Sequence, residues 1–302
     1  MMLGWIITVW LMACSAVDTH RAWLNQTAQN RGFEQHTTQL GPHRVHHWVG
    51  GEGPTVIFLH GFGGNGLYTW WSQAKALSKT HRVIVPDLLW FGGSDSTSIP
   101  SLDAQAEAVQ ALVDHLVPSG ETVDVLGISY GGFVALRYGQ IDPKRQRSLV
   151  LVDSPGRFFD DQDEKDLLAR YKVDTVEELF VPTTTERVRA LIQLAYHKPP
   201  PLPEPLLKDL KAKVFSAHQD EQRELLTDLN TKREHYQSTP FASYKKSLVI
   251  WGEFDQVFPL EIAHKLAGEM KAELLIVHNA GHAPVFDRPK IVNQRLQSFL
   301  ER

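Results

Sequence analysis

One serine of the chain lies in a pattern that is typical of a catalytic nucleophile. The apolar run Val123–Leu126 leads into Gly127-Ile-Ser-Tyr-Gly131, and an apolar helical pattern follows. This order predicts a strand, a sharp turn with Ser129 at its apex, and a helix. Glycines on both sides of the serine let the strand and the helix pass without a Cβ clash. Because the turn holds the hydroxyl near a helix N-terminus, where backbone N–H groups can stabilise an anion, Ser129 is the candidate nucleophile.

Two later residues could supply the base and the acid that a serine nucleophile needs. A serine hydroxyl is activated when an imidazole takes its proton, and the imidazole needs a carboxylate to fix its tautomer. Asp255 follows the predicted strand Ser247–Trp251, and His282 follows the predicted strand Ala272–Val277. Ser129, Asp255 and His282 are therefore the candidate catalytic triad.

Other roles for these residues stay open. Asp255 could instead stabilise a turn, and Asp153, after the preceding predicted strand, is then the next carboxylate to test. His282 could be a histidine of the core. His60 lies beside the predicted site, but a histidine in such a loop more often orders the loop than acts as a base.

Two backbone amides are candidates for an oxyanion hole. One is the N–H of Tyr130, directly after the nucleophile, and the other is the N–H of Phe62, in the glycine-rich loop His60–Gly64. The glycines leave this loop free to turn an amide toward the site. The loop lacks the glycine spacing and the Lys-Ser/Thr pair of phosphate-binding loops, so a phosphate site is not favoured.

The elements around these residues alternate between strands and helices. Unbroken apolar runs such as Thr55–Leu59 and Ser148–Val152 predict strands that are covered on both faces. The alternation predicts βαβ units, hence an α/β fold with a mostly parallel sheet flanked by helices. In such sheets the loops at the carboxyl ends of the strands carry the chemistry.

Residues 157–243 interrupt this alternation, since they are charged, helical in pattern and without a convincing strand. They predict a helical cap inserted into an α/β core of residues 33–156 and 244–302. The proline-rich run 197–205 could bind a protein partner, but a stiff connector between helices is the better interpretation. Residues 15–32 are predicted to be a spacer or a short helix.

The first 14 residues predict an export signal. The apolar run Leu3–Ala13 is shorter than the ~20 residues of a membrane-spanning helix. Leu11-Met-Ala-Cys14 resembles the lipobox of bacterial lipoproteins, in which the cysteine becomes the lipidated first residue. Met12 is unusual there and no Lys or Arg precedes the run, so a plain secretory signal or a buried N-terminal segment stays open. We expect an exported protein of the bacterial cell envelope, held at the membrane by a lipid on Cys14.

The composition excludes several classes of protein. A net charge of -4, from 35 acidic and 31 basic residues in 302, leaves no basic footprint for nucleic acid. Cys14 is the only cysteine, so no intrachain disulfide can form. His46 and His47 are adjacent on a predicted strand and point to opposite faces, which disfavours a metal site there. We expect neither a metal nor an organic cofactor.

Together these motifs resemble the α/β-hydrolase superfamily over roughly residues 33–302, and within it the capped esterases and monoacylglycerol-lipase-like serine hydrolases. The motifs that carry the resemblance are His60-Gly-Phe-Gly, Asp87 to Ser94, Gly127 to Gly132, Gly252 to Asp255 and Gly281-His282. Trp90 is a departure, because many members have glycine there. The resemblance implies an α/β-hydrolase fold whose cap shapes the acyl or alcohol pocket.

The expected activity is hydrolysis of a small-molecule or lipid carboxylic ester through an acyl-enzyme. A serine at the apex of the sharp turn argues against dehalogenase and epoxide-hydrolase chemistry, for which family members use aspartate at this position. Thioester, lactone or carbon–carbon hydrolysis and perhydrolysis stay open, because the same triad serves them. A ligand-binding receptor or scaffold protein on a hydrolase fold is the alternative from another class. The sequence does not indicate the natural ester, its acyl length or the oligomeric state.

Overall fold

The computed structural model describes residues 15–301, so the predicted signal and Cys14 lie outside the described residues. Within them nine strands form one sheet, in the order β1-β2-β4-β3-β6-β7-β8-β9, with β5 paired to β2. The strands are β1 Glu34–Leu40, β2 His43–Gly50, β3 Thr55–Leu59, β4 Arg82–Pro86, β5 Asp95–Ser96, β6 Val123–Ile128, β7 Gln146–Val152, β8 Lys246–Gly252 and β9 Glu273–Val277. β4, β3 and β6 to β9 are parallel to one another, and β1 and β2 are antiparallel to their neighbours. The predicted α/β fold with a mostly parallel sheet is confirmed.

Helices cover both faces of the sheet. They are α1 Ala16–Gln29, α2 Gly66–Leu77, α3 Leu102–Leu116, α4 Tyr130–Ile141, α5 Asp161–Tyr171, α6 Val176–Phe180, α7 Thr185–Ala195, α8 Glu204–Lys213, α9 Gln219–Thr231, α10 Arg233–Ser238, α11 Leu260–Met270, α12 Pro284–Asp287 and α13 Pro289–Leu300. Adjacent residues of a strand face opposite sides, and Leu149 of β7 accordingly packs with α3, α4 and α11. Val150 packs on the other face with α1, α2 and α13. Burial on both faces explains the apolar runs Val56–Leu59 of β3 and Leu149–Val152 of β7.

The segment between β7 and β8 consists of helices α5 to α10, with no strand among its described residues. Four of its buried leucines, Leu167, Leu179, Leu194 and Leu225, join the apolar cluster of α3 and α4, which fastens the segment to the sheet. A smaller apolar cluster holds α7 to α8 through Val188 and Leu207. The proline-rich run lies between these two helices.

Helix α1 is docked on α8 of this segment. The Ser15 hydroxyl and the Val17 N–H both donate to the Asp209 carboxylate, each at 2.8 Å. Lys213 pairs with Asp18 at 2.8 Å. In the part of the chain that the structure describes, no helix combines the length and the hydrophobicity needed to cross a membrane.

Candidate active site

Ser129 lies at the end of β6 and at the start of α4, in a strained backbone conformation. Its φ is 52° and its ψ is -120°, a region that residues with a side chain rarely adopt. A Cβ added at Gly127 would overlap the Gly131 carbonyl oxygen, and one at Gly131 would overlap the Leu59 carbonyl oxygen. The flanking glycines are therefore needed for this turn, and the strain holds the hydroxyl clear of the sheet.

Asp255 and His282 are in direct contact. The Nδ1 atom of His282 lies 3.1 Å from Oδ1 and 3.0 Å from Oδ2 of Asp255. The Asp255 side chain is fully buried, and its Oδ1 also accepts from the N–H groups of Val257 at 2.8 Å and Phe258 at 3.2 Å. Since an ionised carboxylate only accepts, Nδ1 of His282 carries the hydrogen and Nε2 can act as a base.

Ser129 belongs to the same edge of the sheet, but its hydroxyl forms no hydrogen bond to His282 among the described residues. The ring of Phe258 lines the same cavity as Ser129, and its centroid lies 5.4 Å from that of the His282 ring. Hydrogen bonds between a nucleophile and its base are often long before substrate binds.

The two candidate oxyanion donors flank the nucleophile. A Cβ placed on Gly61 would lie 3.2 Å from the Cβ of Ser129, so the loop that carries Phe62 passes directly beside the serine. Neither the Phe62 nor the Tyr130 N–H donates to an acceptor among residues 15–301. The rings of these two residues pack edge to face at 5.2 Å, which joins the two loops. Both amides are thus free to meet an anion beside Ser129.

His60 orders the loop of Phe62. It is fully buried, its Nε2 accepts from the Leu88 N–H at 2.9 Å, and its Nδ1 donates to the Gly61 carbonyl at 2.7 Å. Burial lowers the pKa of His60, so the ring is neutral at pH 7 and both nitrogens are occupied. His60 therefore ties the loop after β3 to the loop after β4 and is unsuited to act as a base.

Asp87 organises the loop after β4. Its carboxylate accepts from the N–H groups of Gly66 at 2.8 Å and Gly93 at 2.9 Å and from His46 Nδ1 at 2.8 Å. Burial alone would raise the pKa of Asp87, but the hydrogen bond from His46 contributes to holding that pKa below its ordinary value. His46 thus pairs with this carboxylate.

Trp90, the departure from the family pattern, has a φ of 63°. Glycine adopts this left-handed conformation without a steric penalty, which explains its frequency at this position. The indole is buried, and the Trp90 carbonyl accepts from Gln222 of α9 at 2.8 Å. Trp90 thereby connects the site loop to the helical segment above it.

A cavity lies between Ser129 and the helical segment. Its walls near the serine are mainly apolar, with Phe62, Phe133, Phe180 and Phe258 among them. The cavity is also lined by polar side chains, among them Arg137, Arg157, Glu164, Asn230 and Arg233. Such walls favour a ligand with an apolar portion next to the nucleophile.

Asp153, which the sequence offers only as the second candidate for the acid, also lies at the site. It follows β7 directly and is fully buried. Asp153, Asp255 and His282 each place one side-chain oxygen or nitrogen within 4.8 Å of those of the other two. Among the described residues, this is the one group whose side-chain types and spacing could hold a metal ion. His282 faces Asp255, and no hydrogen bond joins Asp153 to His282 in the described structure. Its position directly after a buried strand was the available signal.

The fold and the arrangement of these residues agree with the similarity of the chain to known proteins. A sequence model of the alpha/beta hydrolase fold matches residues 54–289. The monoacylglycerol lipase ABHD6 of Homo sapiens is 25% identical over 260 residues, covering 83% of this chain and 76% of that protein. Lipase 1 of Psychrobacter immobilis is 29% identical over 245 residues, covering 78% of this chain and 73% of that protein. The crystal structure of lip1 from Acinetobacter baumannii AYE superposes with a TM-score of 0.80 at 25% identity, covering 93% and 95%. The chain therefore belongs to the α/β-hydrolase fold family.

Proposed function

We propose that this protein hydrolyses carboxylic esters of lipid type through an acyl-enzyme on Ser129. The observation that carries the proposal is the contact of His282 Nδ1 with the buried Asp255 carboxylate at the edge of the sheet that holds the strained Ser129. The similarity to lipases supports ester hydrolysis, and the apolar walls beside the serine support a substrate with an apolar acyl group.

The proposed reaction has two halves. Nε2 of His282 takes the Ser129 proton while the serine oxygen attacks the ester carbonyl, and the amides of Phe62 and Tyr130 bind the oxyanion. The imidazolium then gives its proton to the leaving alcohol as the carbon–oxygen bond breaks. Water attacks the acyl-enzyme with His282 again taking a proton, and the acid leaves as Ser129 regains its hydrogen.

Asp255 stabilises the imidazolium in both halves. Its carboxylate is held by the amides of Val257 and Phe258, so it can keep Nδ1 protonated and Nε2 directed away from itself. Because the pair is nearly free of solvent, the attraction between carboxylate and imidazolium is stronger than at the surface.

We further propose that Cys14 carries a lipid that holds the enzyme at the bacterial envelope, where lipid esters are found. Ser15, the next residue, begins the segment docked on α8. Trp23 of α1 and Tyr68 of α2 are exposed on either side of His20, with ring centroids 5.5 and 6.0 Å from it. Exposed Trp and Tyr suit the headgroup region of a bilayer. Cys14→Ser should release the protein from the membrane fraction, and unchanged attachment would contradict lipidation.

A fluorophosphonate probe and a p-nitrophenyl ester series of increasing acyl length test the activity. We expect the probe to label the folded wild type and not Ser129→Ala, whereas Ser216→Ala, which removes an exposed serine of the helical segment, should label normally. Hydrolysis that survives Ser129→Ala would exclude Ser129 as the nucleophile. A folded wild-type protein that neither labels nor hydrolyses would indicate a ligand-binding protein instead. The acyl length with the highest kcat/KM measures the usable length of the cavity.

A further inference from the structure

Asp153 lies between the strand of the nucleophile and the strand of the acid. The end of β7 connects both, because the Ser129 N–H donates to the Val152 carbonyl at 2.9 Å and the Asp153 N–H donates to the Ile250 carbonyl at 3.0 Å. Asp153 is 0% exposed and has a φ of 42°. A fully buried carboxyl in a rarely adopted backbone conformation needs a physical reason.

The two carboxyl groups have unequal numbers of donors. Asp255 receives hydrogen bonds from two backbone amides and from His282. Asp153 accepts one, from the Gly252 N–H to Oδ1 at 2.8 Å. Its Oδ2 has no donor among the described residues, although it is buried. Asp255 therefore has the donors that a buried carboxylate needs, whereas one oxygen of Asp153 has none.

An oxygen of Asp153 and an oxygen of Asp255 lie within 4.8 Å of each other. Two buried carboxylates at this separation cannot both carry a charge at low energetic cost. Burial, followed by the charge of Asp255, raises the pKa of Asp153 well above its ordinary value. Asp287 adds a further negative charge nearby, and its own carboxylate accepts from the His197 and Gly281 amides. The titratable groups near Asp153 are Asp255 in the loop after β8, His282 in the loop after β9 and Asp287 at the end of α12.

We propose that Asp153 is a neutral carboxylic acid at pH 7 whose O–H donates a hydrogen bond to the Asp255 carboxylate. Asp153 is thereby a positioning residue, which holds Asp255 against Nδ1 of His282. The catalytic consequence rests on the proposed function, whereas the protonation state of Asp153 does not.

Asparagine is the informative replacement for Asp153, because its carbonyl can accept from Gly252 and its NH₂ can donate to Asp255 without any charge. Asp153→Ala removes both bonds. In p-nitrophenyl ester hydrolysis at pH 7 we expect Asp153→Asn to keep kcat within about threefold of wild type. Asp153→Ala should lose roughly tenfold in kcat with KM little changed, because of the two lost bonds only the one to Asp255 acts on the triad. Asp255→Asn, the matched control, should lose about 10⁴-fold.

A second measurement does not require hydrolysis. Since the folded pKa of Asp153 is raised, the wild type loses stability as the pH rises above about 3.9, where the unfolded chain releases the proton that the folded chain keeps. The unfolding equilibrium constant of wild type relative to Asp153→Asn should therefore increase with pH, by up to about tenfold per unit. Infrared spectra at pH 7 should show a protonated carboxylic acid band in wild type that is absent in Asp153→Asn.

Three results would overturn the proposal. Asp153→Asn as inactive as Asp255→Asn, in a folded protein, would make Asp153 an ionised member of the triad. A wild-type stability relative to Asp153→Asn that does not change with pH would show an ionised Asp153. Loss of activity in EDTA with recovery on added Ca²⁺ or Zn²⁺ would place a cation between the carboxylates. If the wild type hydrolyses no ester, the proposed function fails, and the stability and infrared measurements still decide the state of Asp153.

Discussion

Replacing His60 tests whether the loop of Phe62, the proposed oxyanion donor, is held by a neutral histidine. The side chain is fully buried and bonds two loops, through Leu88 N–H at 2.9 Å and Gly61 carbonyl at 2.7 Å. His60→Ala leaves the buried Leu88 N–H and the part-buried Gly61 carbonyl unpaired, at about 1–3 kcal/mol each, and adds a cavity. We expect the free energy of unfolding to fall by about 3–5 kcal/mol, measured by urea denaturation at pH 7.

The same substitution should reduce catalysis without removing the triad. The Gly61 carbonyl and the Phe62 N–H belong to the same planar peptide group, so releasing the carbonyl allows the proposed oxyanion donor to turn away. Loss of one such donor lowers kcat by about 10²-fold or more. KM should change little, since the interaction forms with the oxyanion and not with the bound ester.

Two conservative variants separate the two bonds of His60. His60→Asn can still donate to the Gly61 carbonyl, because its NH₂ takes the place of Nδ1. His60→Gln can still accept from Leu88, because its carbonyl oxygen takes the place of Nε2. We therefore expect kcat to be higher for His60→Asn than for His60→Gln, with both more stable than His60→Ala. Unchanged kcat in His60→Ala would refute the role of His60 in the loop, and a loss above 10⁴-fold with failure of Ser129 to label would make His60 part of the triad.

Three further predictions concern strain and titration. Gly127→Ala should fail to fold or lose all activity, because its Cβ overlaps the Gly131 carbonyl. Gly268→Ala, with open space on helix α11, should instead raise the free energy of unfolding by about 0.5–1 kcal/mol. Soluble yield and urea denaturation compare the two variants. Trp90→Gly should be more stable than Trp90→Ala by about 1 kcal/mol in the same assay, because only alanine is strained at φ 63°, and the reverse order would contradict that strain. Burial lowers the pKa of His43, His47, His60 and His81, that of His47 to about 4, so below about pH 6.5 the unfolded chain binds protons at these rings more readily than the folded chain. Because the raised pKa of Asp153 acts in the opposite direction, the profile is measured in Asp153→Asn. The free energy of unfolding from urea denaturation should fall from pH 7 to pH 5, by at most about 1.4 kcal/mol per pH unit for each group, and a flat profile would show that these histidines titrate normally.

The fold and the order of the candidate triad could be predicted because the signals are local. Ser129, Asp255 and His282 each come within a few residues of the end of a strand, and parallel strands place such ends at one edge. Two of these strands, β6 and β8, are largely buried, whereas β9 is the partly exposed edge strand. The glycines on both sides of Ser129 predict the sharp turn, because a side chain at either position would overlap the backbone. The cap boundaries and the lipid on Cys14 stay predictions.

Side-chain partners from different elements could not be predicted. Asp153 and Asp255 are far apart in the sequence and become neighbours because β7 and β8 pair, with Val152 opposite Ile250. Nothing in the spacing indicates that one of them lacks donors. The role of Trp90 likewise depends on a backbone angle and on a contact with Gln222 from another helix.

Backbone strain is concentrated where the chemistry is proposed. Of the seven non-glycine residues with positive φ among residues 15–301, four lie in loops at the carboxyl ends of strands, namely Trp90, Ser129, Asp153 and Asn279. Each such conformation costs of order 1–3 kcal/mol and persists only where surrounding contacts enforce it. The central strands supply that enforcement, since β3, β6 and the last five residues of β7 are buried throughout. Ser129 uses the strain to present its hydroxyl. Asp153 shares the strain but presents a buried carboxyl to another carboxyl, an arrangement that is favourable only if one of the two holds a proton.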